Sequence, residues 1–181
     1  MADRGLEEEM NHSLVIAHRR PRETGNVTLE LALILPLLLL ILGGALDLGM
    51  LFWEKQALTN ATREGARAAI KAVDNGTTVR PAKTISEVRQ IVQNYLTQHR
   101  IKDASGQLLV LSNSQFSYTW QYTTSGTLVT IALQQIPYRM MLLPNFRSFF
   151  GYSQQPGDQT FFLQARTVMA AEWHVSVPPS P

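Results

Sequence analysis

Cysteine is absent from all 181 residues. That excludes disulfides, thiolate metal sites and cysteine nucleophiles in one step, and it leaves the compartment open. No excess of charge exists either: 16 Lys and Arg stand against 14 Asp and Glu, a net +2. The basic residues are scattered, so no nucleic-acid surface is expected. Histidine is scarce, with four in the chain. His12 and His18 precede the longest apolar run, while His99 and His174 stand apart from any acidic or ligand pattern. No phosphate loop, nucleophile motif or ligand cluster occurs. The reading is therefore of a protein that is not an enzyme and holds no metal or cofactor.

What the chain does have is one long apolar run. Leu31–Leu46 carries no charge, Asp47 interrupts it, and Leu48–Trp53 continues it. A helix needs about 20 apolar residues to cross the hydrocarbon core. A globular helix is rarely apolar on all sides for so long. Residues 31–53 are thus read as a single transmembrane segment. Arg19, Arg20 and Arg22 lie just before it, and basic flanks stay cytoplasmic. Phe52 and Trp53 fall where an interfacial aromatic belt lies. The N-terminus is expected inside and residues from about 54 onward outside. The run is longer than the core of a secretory signal and no Ala-x-Ala site follows it, so the span is expected to stay.

The junction before the span carries the most information. A basic leader ends in Gly25, and Glu30 stands at the start of the apolar helix. A carboxylate at the bilayer edge is either paired or solvated among headgroups, and position alone leaves both open. Gly25-Asn26-Val27-Thr28-Leu29-Glu30-Leu31, followed by Ala32-Leu33-Ile34-Leu35-Pro36, resembles a type IV prepilin processing site. Together with Leu58-Thr59-Asn60-Ala61-Thr62-Arg63-Glu64-Gly65-Ala66-Arg67-Ala68-Ala69, it resembles the TadE-like minor pseudopilins of tight-adherence pili. Leu31 and Asn26 depart from the usual pattern, where Phe and an apolar residue are common.

The resemblance implies cleavage between Gly25 and Asn26 by a prepilin peptidase. It implies that Glu30 then pairs with the new N-terminal amine of Asn26, on the same or a neighbouring subunit. The implied partners are the inner membrane, other pilin or pseudopilin subunits, the peptidase and the pilus assembly platform. The implied place is the bacterial inner membrane, single-pass, with passage into an extracellular pilus open. A membrane-tethered envelope interaction protein outside any filament is the other reading.

The fold class expected is α+β. A long N-terminal helix carries the span into a small exported domain with a second helix and an antiparallel sheet of three to four strands. The organisation reads as a leader over 1–25, a helix over 26–75, a domain over 76–174 and a disordered tail over 175–181. The helix, about 70 Å long, has a kink expected at Pro36 and a stop at Asn75-Gly76. Ala57, Ala61, Gly65, Ala68 and Ala72 share one helix face. That face packs on the chain's own domain or against another subunit, and both stay open. Ser86–His99 reads as the second helix, capped by Ser86.

From Phe116 the period changes to two. Phe116, Tyr118, Trp120 and Tyr122 alternate with polar residues, Thr123–Gly126 reads as a turn, and Leu128–Gln135 as the return strand. Phe161–Trp173 reads as a third strand and Leu108–Leu111 as a short fourth. The aromatic row is a helix-covered sheet face rather than a ligand platform. Residues 137–157 read as a long connection that folds over the sheet or meets a partner.

Overall fold

A segment that is apolar on every side forms a helix without needing a core-facing stripe. Here it becomes the first part of α1 (Glu23–Ile70), with Pro36 inside it. The computed structural model describes residues 23–74, 76, 79–142 and 160–173. The expected leader up to residue 22, Asn75, most of the 137–157 connection and the 175–181 tail lie outside the described residues. The chain divides into two units, residues 1–42 and 43–181. In the first, the described residues are helical, and Leu and Ile from Leu29 to Leu42 are exposed. This helix is long and apolar enough to cross a membrane.

The second unit begins on α1 at Gly43. It continues through β1 (Ala72–Asp74), β2 (Val79–Pro81), α2 (Ile85–Gln98), β3 (Phe116–Thr123), β4 (Gly126–Arg139) and β5 (Thr160–Ala170). β1 and β2 form an antiparallel ribbon, and β3-β4-β5 form an antiparallel sheet. The class is α+β, as expected.

The core lies between α1, α2 and one face of the larger sheet. From Ala57 onward α1 buries Ala57, Leu58, Ala61, Ala66 and Ala69, the spacing of one helix face. α2 contributes Val88, Val92 and Leu96; β4 contributes Val129, Ile131, Leu133 and Ile136. Phe116, Tyr118 and Trp120 pair with Leu133, Ile131 and Val129, so the aromatic row packs against this core.

The structure differs from the expectation at several places. α1 stops at Ile70, not near Asn75, because its last carbonyls find tertiary donors. The Trp173 indole N–H donates to the Ala69 carbonyl at 3.0 Å, and the Glu172 N–H to that of Ile70 at 2.9 Å. Trp173 therefore lies beyond β5 and is fully buried as a clasp on the helix end. The residues after Ile70 turn back as the β1–β2 ribbon, where Gly76 adopts φ +77° and donates to Asp74 Oδ1 at 2.8 Å.

The cap of α2 is Thr84, not Ser86. Its hydroxyl accepts from the Glu87 N–H, and the Glu87 carboxylate accepts from the Thr84 N–H, a reciprocal capping box. Leu108–Leu111 makes only the bridge Lys102↔Leu108, among the described residues. Beyond it, the α2 side chain of Gln93 takes the place of a strand. It donates to the Leu109 carbonyl at 2.7 Å and accepts from the Leu111 N–H at 2.8 Å, while Arg89 donates to the Leu111 carbonyl.

β4 runs on through Pro137, Tyr138 and Arg139, which pair with Phe162, Phe161 and Thr160. Pro137 is tolerated because β4 has there run past the last β3 pair, Phe116↔Leu133, leaving one side without a ladder. A bulge between Leu133 and Ile136, with Gln135 at φ 53°, keeps both apolar residues on the core face.

Candidate functional site

The processing site expected at Gly25 and Asn26 falls in the first turns of α1, where only the helical backbone is described. Glu30 lies one turn further on and is exposed. Val27, Leu29, Leu31 and Leu33 around it are exposed as well, as a lipid-facing helix requires.

Of the small residues expected on one helix face, Ala57, Ala61 and Gly65 are buried inside the chain and Ala68 is half-buried, whereas Ala72, also half-buried, lies past the end of α1 in β1. Gly65 is the tightest point. A Cβ built there would stand 2.5 Å from Val92 Cγ2, with Ile131 Cγ2 at 3.6 Å and Val88 Cγ1 at 3.7 Å. The face thus lets α2 and β4 approach the α1 backbone. Beside it the Thr62 hydroxyl donates to the Thr59 carbonyl, so Thr167 of β5 donates to Thr62, both at 2.8 Å. Lys55 reaches the Gln164 carbonyl on β5 next to the bulge.

Asp47, the lone acid in the apolar run, was not assigned a role by its position in the sequence. It is buried, and its carboxylate accepts from the Met141 N–H at 3.1 Å and the Leu142 N–H at 3.0 Å. The Tyr138 hydroxyl donates to the Asp47 carbonyl at 3.0 Å. The acid therefore fixes the end of β4 to α1, using backbone donors that β4 leaves open as it ends. The one signal that could have found it is the presence of a carboxylate in an apolar run, which demands a partner.

Two concavities are formed among the described residues of the second unit. One, of about 460 Å³, is lined by Met50, Trp53, Glu54, Lys102 and Tyr138 among others. The other, of about 550 Å³, lies between α2 and β3. At the latter the Tyr118 hydroxyl is buried without a partner, and burial pushes its pKa up to about 12. Among the described residues no group of His, Asp and Glu could hold a metal ion. The geometry of this unit is that of packing and anchoring, centred on α1.

That helix is also where the chain resembles known proteins. Residues 25–67 match the model of the family described as TadE-like protein. The TadE-like segment starts on Gly25 and ends within the buried small-residue face, covering about a quarter of the chain. The matched family is a pilus-associated one. No curated protein and no solved structure matches the chain.

Proposed function

We propose that the chain is a minor pseudopilin of a tight-adherence pilus, cut after Gly25 by a prepilin peptidase and acting in pilus assembly or surface adhesion. The observation that carries this reading is the TadE-like segment, which begins on Gly25 and includes Glu30 and Ala57, Ala61 and Gly65 of the small-residue face. After cleavage, the Asn26 amine and the Glu30 carboxylate neutralise each other where water is scarce, and either alone is costly there. The exposed apolar surface of α1 from Val27 to Leu46 serves first in the inner membrane and then against the helices of other subunits. The domain carried by β3-β4-β5 stands outside the cytoplasm. Open filaments need a head-to-tail interface that does not close, and a helix with one charged end and an apolar body supplies it.

The test is a cell making Gly25→Phe in place of the parent chain. The parent is expected in filaments sheared from the surface, and the variant only in the membrane fraction. Variant chains found in sheared filaments at the parental level overturn the reading. Absence of both chains from the filaments favours the tethered envelope protein instead.

A further inference from the structure

The apolar surface of the second unit is not spread evenly. A large share of it gathers around Asp47, at the end of the unit that begins on Gly43. Phe52 and Trp53 are exposed on α1 just beyond Asp47. Met141 and Leu142, held by the Asp47 carboxylate, are 64% and 44% exposed. Leu142 also packs beside Gly43, where a built Cβ would lie 3.5 Å from its own. Phe161 and Phe162 open β5 opposite Tyr138 and Pro137, and Phe162 is 69% exposed. Tyr138 ties this strand end to Asp47. Helix, strand end and strand start thus bring six large apolar side chains to one end of the unit. Among the charged groups lining the adjoining concavity, Arg100, Lys102 and Arg139 outnumber Glu54 and Asp103.

A water-facing domain rarely leaves so much apolar surface open. Aromatic rings with Lys and Arg beside them match the headgroup zone of a bilayer, where rings enter the acyl boundary and cations meet phosphates. The chain also supplies the continuity, since these residues begin where the apolar run leading from Val27 to Leu46 ends. We infer that Phe52, Trp53, Met141, Leu142, Phe161 and Phe162 form a collar that beds this end of the exported domain in the outer face of the membrane before assembly. The inference rests on reading the apolar run as a bilayer span.

The cysteine-free chain makes the test direct. Single spin labels are placed through Phe162→Cys and Met141→Cys on the collar, Leu35→Cys in the run and Val73→Cys on the β1–β2 ribbon. The ribbon follows Ile70, about 35 Å along α1 from Asp47. The full chain is reconstituted in vesicles of phosphatidylethanolamine and phosphatidylglycerol. Collision rates with oxygen, which partitions into lipid, and with a water-soluble nickel chelate are then compared. Labels at 162 and 141 are expected to show an oxygen-to-nickel ratio several-fold above that at 73 and close to that at 35. Nickel accessibility at 162 and 141 equal to that at 73 overturns the collar. Shielding from both reagents also overturns it, since protein rather than lipid then covers the patch. A nickel-accessible label at 35 instead condemns the span itself, so the two failures are told apart.

Discussion

Gly65→Ala is expected to destabilise the protein even though alanine is the better helix former. At an open helical position the substitution gains about 1 kcal/mol. At Gly65 the new methyl meets Val92 Cγ2 at 2.5 Å. Val92 is wholly buried on α2, and a valine on a helix has essentially one rotamer, so the side chain cannot swing aside. Ile131 and Val88 close the other directions. Overpacking of this kind costs about 1–3 kcal/mol, and more where neighbours are rigid. The net is a loss of up to about 2 kcal/mol after the helix gain is set against it. For a chain of this size that lowers the Tm by up to about 8 °C. The assay is thermal unfolding of the full chain in nanodiscs, followed by near-UV circular dichroism. Val92→Ala in the same chain removes the opposing methyl, so the pair should couple favourably by about 0.5–3 kcal/mol. A Gly65→Ala chain that melts above the parent refutes the reasoning. It would mean that the small face is slack within the subunit and is kept small for another subunit.

Other substitutions probe the remaining contacts. Asp47→Leu strips the acceptor from the Met141 and Leu142 N–H groups and is expected to cost about 2–3 kcal/mol; Asp47→Asn keeps one acceptor and costs less, both read from thermal unfolding. Tyr118→Phe removes a buried hydroxyl that has no partner, and is expected to leave stability unchanged or raise it by about 1 kcal/mol in the same assay. Glu87 is held below its ordinary pKa of 4.5, chiefly by the Thr84 N–H and then by Lys83. Because the folded value is the lower one, its contribution is present above pH 4.5 and lost as pH falls through the folded value. The advantage of the parent over Glu87→Gln, measured as a difference in Tm, should therefore shrink below about pH 4.5.

Much of this architecture was legible in the chain because local patterns and tertiary packing agree. The apolar run of α1 is plain from its length, the α2 stripe and the β3–β4 hairpin each follow one period, and Thr124-Ser125 with Gly126 at φ 126° closes the hairpin at the expected place. Other features depend on partners far away in sequence. The end of α1 at Ile70 is set by Glu172 and Trp173, so Asn75-Gly76 misled as a stop signal. The β4 bulge uses Gln135 at positive φ, where no glycine advertises it. The alternation of Leu109 and Leu111 is that of a strand, but past the Leu109 N–H, which donates to the Ile101 carbonyl, its backbone partners are the side chains of α2. The TadE-like resemblance could be read from the sequence because its motifs are contiguous. The clasp of Asp47 could not, because it joins residues separated by most of the domain.

The most direct measurement of the central proposal is the intact mass of the chain extracted from its own membrane. The expected result is a polypeptide that begins at Asn26, with a free amine available to the Glu30 carboxylate. A chain that still carries Met1 through Gly25, in cells that nonetheless assemble it into normal fibres, contradicts it.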